Sequence, residues 1–322
     1  MKILYLCNKD YYVKKMSRVR FHGMKAVGEL CDLTWSGPNW ESWDNEKTAT
    51  ENVAQLYEGH GPDLVVAYKP LEIKGYAELD ALKCIRYNEM YDVQWTIKEI
   101  MESRSNIVVC HHKNDMEQYE KLLQNFKLFP IHLVNVPHCA EKTVFKDYEL
   151  PKIYDLLLAG AINGFTSLGR HYPLRDRMVR IIQKMSNKYK TYFYRHPGYD
   201  LEDAHTNKYA IEFAKVINSS KIAITCSGAP NSRFVKYVEI PMCATAIAAD
   251  LPGEQQDEFS KFLIEINMSM TDEEIINKLE FYLENDEEYN KLVDGGLKYA
   301  ENYTQENYAK TFLANIEQYV KK

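Results

Sequence analysis

Three pieces of residues 154–194 decide the fold: Tyr154–Ala159 (YDLLLA), Pro173–Met185 (PLRDRMVRIIQKM) and Thr191–Tyr194 (TYFY). The first and last are apolar runs of strand length. In the middle piece Pro173 can take the first helical position. Leu174, Met178, Ile181, Ile182 and Met185 then fall at i, i+4, i+7, i+8 and i+11, on one face of a helix. A strand, an amphipathic helix and a second strand form a crossover unit, because parallel neighbours need a long connection between them.

The same rhythm runs outward in both directions. Toward the N-terminus the strand candidates are Lys2–Cys7, Cys31–Trp35, Asp63–Tyr68, Leu82–Tyr87, Asn106–His111 and His132–Val136, with amphipathic stretches at Val93–Met101 and Met116–Phe126. Toward the C-terminus they are Lys221–Thr225, Ala244–Ala249 and Phe262–Ile266. Tyr209, Phe213 and Val216 mark another helix, and Thr271-Asp-Glu-Glu274 is a capping box opening a helix that carries Ile275, Leu279 and Leu283. Alternation of this kind predicts an α/β protein with two Rossmann-like, doubly wound parallel-sheet lobes facing a cleft. Pro137–Pro151, with its prolines and charges and little periodicity, reads as the linker between them.

Bulk composition narrows the function. The chain has 322 residues, 45% hydrophobic and 27% charged, with a formal net charge of −6. That length fits two domains. The acidic balance argues against a nucleic-acid partner, which needs a basic face. No apolar run approaches the length of a membrane span. Met1–Cys7 is a single strand followed by Asn8-Lys9-Asp10, which does not read as a signal peptide. A cytoplasmic location is the expectation. Seven cysteines without a Cys-x-x-Cys pair read as buried thiols. Cys110-His111-His112 lacks zinc-site spacing.

Ligands of open parallel sheets bind beyond the carboxyl ends of the strands. In the first lobe that rule selects Asn8–Asp10, Asn88–Asp92 and His111–Asp115; in the second it selects Gly160–Gly164, Arg195–Gly198 and Ser227–Ser232. The first strand has no Gly-x-Gly-x-x-Gly after it, and no Walker-type loop occurs, which disfavours nicotinamide enzymes and P-loop NTPases. The second lobe is better furnished for an anion. Ser227-Gly-Ala-Pro-Asn-Ser232 precedes a helical pattern beginning at Arg233, where free N–H groups would point at a phosphate. Arg170, Arg175, Arg195, Arg233 and Lys236 add positive charge on the same side of the sheet.

These segments resemble the GT-B glycosyltransferases, in particular the spore-maturation CgeB-like group and the group 1 glycosyltransferases. Val134-Asn-Val-Pro137-His138-Cys-Ala-Glu-Lys-Thr-Val-Phe145 is similar to their interdomain segment, with Cys139 where glycine is usual and Glu141 where aspartate is usual. Tyr154–Gly160 resembles the opening of their donor domain, Tyr172-Pro-Leu-Arg175 the next helix start, and Arg195–Tyr199 and Arg233–Glu239 later donor-lobe motifs. The likeness covers roughly residues 130–245; the first 130 match only in rhythm.

The resemblance implies a hexosyl- or pentosyltransferase that takes a nucleotide-diphosphate sugar as co-substrate and a glycan or small molecule as acceptor, without a metal or other cofactor. Glu239 would accept the ribose hydroxyls. Gly160, Ser227, Gly228, Asn231 and Ser232 would approach the diphosphate, Arg175, Arg233 and Lys236 would neutralise it, and Arg195 and His196 would lie near the base or ribose. Asn231 stands where retaining relatives carry a second glutamate. An inverting enzyme would need a base in the first lobe; Glu89 and His112 are favoured over Asp10, Asp92 and His111. The expected division is 1–140 for an acceptor-side lobe, 141–303 for the donor lobe and 304–322 for a helix crossing back to the first lobe. Asp294-Gly295-Gly296 would break the preceding helix, and Gln305–Val320 would then run with Tyr308, Phe312 and Ile316 in register. A sugar-nucleotide epimerase of the same fold and an inactive sugar-nucleotide-binding module are the alternatives.

Overall fold

The computed structural model describes residues 1–14, 18–57, 59–87, 90–124, 130–166, 169–195 and 208–320. Contacts divide the chain into two units, one from Met1–Pro137 and Gln305–Lys322, the other from His138–Gly198 and Thr206–Thr304. Each is built on a parallel sheet. No helix among the described residues is long and apolar enough to cross a membrane.

The first unit contains β1 (Lys2–Leu6), α1 (Lys9–Lys14), α2 (Arg18–Gly28), β2 (Asp32–Ser36), α3 (Ala49–Leu56), β3 (Leu64–Ala67), β4 (Lys83–Arg86), α4 (Val93–Ser103), β5 (Ile107–Cys110), α5 (Lys113–Leu123) and β6 (His132–Asn135). The sheet order is β2-β1-β3-β4-β5-β6, all parallel. Ile3 to Leu6 of β1 are all buried, as central strands covered on both faces must be, whereas β2 at the edge is only partly covered. Leu4, Leu6, Val65 and Ala67 pack with Trp43, Ile73 and Tyr76. Tyr5 points the opposite way and meets Phe21 of α2 at 6.0 Å.

That second face also carries the C-terminal helix, Gln305–Val320, which buries Tyr308, Ala309, Phe312 and Ile316. The helix lies along α2, and Gly23 makes this possible: a Cβ there would sit 2.7 Å from the Tyr308 ring. Tyr308 is tied further by Arg86, whose buried Nε donates to the phenol oxygen at 2.7 Å. The chain therefore crosses back to its first lobe, as expected. A lone helix of this length is marginal, so the apolar stripe needs this surface.

The second unit contains β7 (Tyr154–Ala159), a small hairpin β8–β9 (Phe165–Thr166, Gly169–Arg170), α6 (Pro173–Met185), β10 (Thr191–Tyr194), α7 (Lys208–Asn218), β11 (Ser220–Ile224), α8 (Lys236–Met242), β12 (Ala246–Ala249), α9 (Gln256–Phe259), β13 (Ile264–Glu265), α10 (Asp272–Glu284) and α11 (Asp286–Ala300). The main sheet runs β10-β7-β11-β12-β13, again all parallel. Leu156, Leu158, Ile222 and Ile224 face Leu174, Met178 and Ile181 of α6 and Ile275 and Leu279 of α10. Leu157, Ala159 and Ala223 face α7, α8 and Tyr299 of α11. Burying one such side chain contributes about 1.5–3 kcal/mol, so the two faces account for the sheet. The capping box at Thr271 and Glu274 forms reciprocally.

Three expectations are corrected. Gly295 and Gly296 do not break a helix; they lie inside α11. Added Cβ atoms there would come within 2.9 Å of Phe262 and 3.0 Å of Pro241, so these glycines let α11 press against its neighbours. The segment after Pro137 is no loose linker: Cys139, Ala140, Val144 and Phe145 are buried, and Ala140 bridges to Thr304. The helical pattern at Arg233 starts a turn later, at Lys236.

Candidate functional site

The order β10-β7-β11 reverses direction between β7 and β11. A crevice opens at such a switch point, beyond the carboxyl ends of the two strands. Gly160 follows β7 there with φ +110°, a conformation that side-chain-bearing residues rarely adopt. A Cβ would overlap the Arg175 guanidinium and lie 3.1 Å from Cε of Lys236. Glycine therefore lets two cations close on the strand end.

Arg175 enters from the first turn of α6 and is 3% exposed. Its Nη1 donates to the Ala161 carbonyl at 2.9 Å, its Nε to Cys226 Sγ at 3.4 Å, and its guanidinium stacks 3.6 Å from the Tyr172 ring centroid. Lys236 enters from the first turn of α8, with its ammonium 4.6 Å from the Phe213 ring and 3.7 Å from Oε2 of Glu239. Burial pulls the Lys236 pKa down, Glu239 opposes that, and Arg175 reinforces it. Glu239 is itself buried, at 5% exposure, rather than an exposed helix charge. Arg175 and Lys236 thus bring two cationic donors to the strand end at the switch point, with the carboxylates of Glu239 and Asp250 as their charged neighbours; an anion seated at Gly160 would meet those donors.

The loop after β11 behaves differently from the sequence expectation. Its N–H groups do not point outward as a set. Ser227 N–H donates to Asp250 Oδ1 at 2.7 Å, Ala229 N–H to the His171 carbonyl at 2.8 Å, Asn231 N–H to Gly228 at 3.0 Å and Ser232 N–H to Ser227 at 3.1 Å. Asp250, at the end of β12, also accepts from the Ser227 hydroxyl at 2.9 Å and the Tyr237 phenol at 3.1 Å. It fixes the loop and was not among the residues singled out from sequence, although it too follows an apolar strand. Asn231 is exposed and Gly228 has φ +69°.

Arg233 does not join Arg175 and Lys236. Its buried guanidinium donates to the His138 carbonyl at 2.9 Å and the Tyr299 hydroxyl at 3.3 Å, and lies 4.4 Å from the Tyr303 ring. Those contacts bind the segment after Pro137 to the end of α11. Arg195 is exposed just beyond β10, and Arg170 pairs with Asp176 at 3.7 Å. His196 and Glu89 lie outside the described residues. His112 is buried at the N-cap of α5, and His111 Nδ1 lies 2.7 Å from the Val136 carbonyl. Asp92 caps α4, and Asp10 accepts from the Asn39 amide at 3.3 Å.

No protein-family model matches the sequence. No curated protein matches it either. Solved structures match the fold over the whole chain. Sucrose-phosphate synthase from Thermosynechococcus elongatus is similar with a TM-score of 0.62 and 10% identity, over 99% of both chains. Anabaena HepE, solved in complex with UDP and glucose, is similar with a TM-score of 0.58 and 8% identity, over 99% of this chain and 100% of that one. A putative UDP-N-acetylglucosamine 2-epimerase from Listeria monocytogenes is similar with a TM-score of 0.55 and 13% identity, over 99% of this chain and 96% of that one. The fold is thus that of the GT-B glycosyltransferases, two parallel-sheet α/β lobes.

Proposed function

We propose that this chain is a glycosyltransferase that moves a sugar from a nucleoside-diphosphate sugar to an acceptor hydroxyl. The observation that carries the reading is the convergence of Arg175 and Lys236 on Gly160 at the switch point of the second sheet, with Glu239 beside them. The solved structures support it, since HepE was captured with UDP and glucose. The diphosphate lies against Gly160, and Glu239 accepts the ribose hydroxyls.

In the transfer, the bond from the anomeric carbon to the diphosphate breaks and the electron pair leaves with the phosphate. Arg175 and Lys236 stabilise the charge that develops there, by donors fixed in advance in a site shielded from water. We assign no metal to this step. The acceptor oxygen forms the new bond to the anomeric carbon; an inverting transfer would pass its proton to a general base, for which Glu89 and His112 are the proposed residues. The finer CgeB-like assignment rests on the motifs Val134–Phe145 and Tyr154–Gly160. A second reading, epimerisation of the sugar nucleotide, is favoured by the likeness to the Listeria protein and would use the same nucleotide contacts.

Thermal unfolding with UDP, GDP and ADP, each with and without magnesium or manganese, tests the reading. At least one should raise the Tm with no metal added, since a ligand at a hundredfold excess over its Kd stabilises by about 2.7 kcal/mol. No shift with any of them would refute it. Turnover of a sugar nucleotide without an acceptor would favour the epimerase.

A further inference from the structure

Tyr172 occupies the N-cap position of α6 without capping it: its side chain makes no hydrogen bond to the first turn. Short polar residues serve that position best, and a phenol ring offers it nothing. The ring lies instead over the Arg175 guanidinium, with Cζ 3.6 Å from the ring centroid. It is packed in turn against His171, edge to face at 4.1 Å, and Phe234 at 6.0 Å. Buried Cys226, beyond β11, accepts from Nε of the same guanidinium at 3.4 Å, and the Ala161 carbonyl accepts from Nη1 at 2.9 Å. Two hydrogen bonds fix two points of the guanidinium plane and let it turn about the line between them. The stacked ring stops that turn. Among the described residues no hydrogen bond takes up Nη2, and no carboxylate forms an ion pair with Arg175.

We propose that Tyr172 and Cys226 are positioning residues, which set the Arg175 guanidinium at Gly160 before a diphosphate arrives; this rests on the donor-site reading above. An arginine side chain is rich in rotamers, and ordering it on binding costs affinity that a side chain held in advance keeps. Donors fixed beforehand also need no reorganisation when charge develops on a leaving group. The two holders suit that task because both are neutral. A carboxylate bonded to the guanidinium would hold it as firmly but would offset the charge that the phosphate is to meet. An aromatic face attracts the cation through its quadrupole, more strongly away from water, and a thiol is a weak acceptor. The ring covers the flat of the guanidinium, whereas hydrogen bonds leave from its edge, so stacking uses up none of the N–H groups.

The test uses the full chain with isotope-labelled arginine, in which the Nε–H signal of Arg175 is identified by its loss in Arg175→Lys. A ring stacked on the guanidinium displaces that signal from the position of a solvated arginine, with or without a ligand. Tyr172→Leu should return it toward that position; Tyr172→Phe, which keeps the aromatic face, should leave it displaced. UDP, GDP and ADP are then titrated by calorimetry, and the matching nucleoside is titrated beside the one that binds. Tyr172→Leu should weaken the diphosphate about tenfold and the nucleoside less than about twofold, and Tyr172→Phe should stay within about twofold of the parent for both. Cys226→Ala, which removes the Nε acceptor, should weaken the diphosphate about threefold and serves if Tyr172→Leu fails to fold. With a parent protein that binds, three results would overturn this inference and leave the donor site standing: an unmoved Nε–H signal in folded Tyr172→Leu, equal losses for nucleoside and diphosphate, or unchanged diphosphate affinity in the folded variants. A parent protein that binds none of the three diphosphates would overturn both.

Discussion

Lys236 and Glu239 form a pair whose strength can be worked from the structure. Their charged atoms are 3.7 Å apart, and the side chains are 19% and 7% exposed. At an effective dielectric of about 20, opposite charges at that separation attract by roughly 4–5 kcal/mol, before the cost of taking both from water. Lys236→Met leaves the buried Glu239 without the Lys236 ammonium. Glu239→Gln leaves Lys236 facing Arg175 without its counter-charge. Each single change should therefore cost about 3 kcal/mol, and the double change Lys236→Met with Glu239→Gln should cost well under their sum. The cycle, read from urea unfolding of the four proteins at equal m values, should give a coupling of about 2–4 kcal/mol. A coupling below about 0.5 kcal/mol is what independent sites give, and would refute the view that these two groups are electrostatically joined in the folded chain.

Gly160→Ala should fold with a lower Tm and lose most nucleotide affinity, because the new Cβ displaces Arg175 and the backbone is strained at φ +110°; titration of UDP against a protein of native far-UV spectrum would show it. Tyr308→Phe removes the 2.7 Å bond from buried Arg86 and should cost about 1–3 kcal/mol in chemical unfolding. Asp272 is held at a pKa of about 2 by hydrogen bonds from Arg177, Lys184 and Arg180, below the ordinary 3.8. Its stabilising effect is thus complete above about pH 4 and lost as the pH falls toward 2. Acid titration of Asp272→Asn, monitored by circular dichroism, should show a shallower fall across that window than the parent protein.

The sheets were legible because parallel strands under helices are continuous apolar runs, and each run ends where the chain turns to polar residues. Tyr154–Ala159 and Thr191–Tyr194 could be bounded to the residue on that basis alone. Helix faces were legible for the same reason, as Leu174, Met178 and Ile181 show. Less legible was anything set by a partner distant in sequence. Gly295 and Gly296 look like a helix break until Phe262 and Pro241 are seen against them. Arg233 and Arg175 are alike as sequence, yet one is drawn to His138 and Tyr299 and the other to Gly160, because they leave different turns of the same unit. The loop after β11 reads as a phosphate cradle until Asp250 and His171 are found occupying its N–H groups. Asp250 itself sits directly beyond the carboxyl end of an apolar strand, β12, the position from which ligand and loop contacts are made in such sheets.

A nucleoside diphosphate is proposed to bind at Gly160 with Arg175, Lys236 and Glu239. A crystal structure of the chain with UDP, or with whichever nucleoside diphosphate raises the Tm most, tests it directly. The diphosphate should lie against Gly160 within hydrogen-bonding distance of Arg175 and Lys236, with the ribose hydroxyls on Glu239. A nucleotide bound elsewhere, with these four residues untouched, would contradict it.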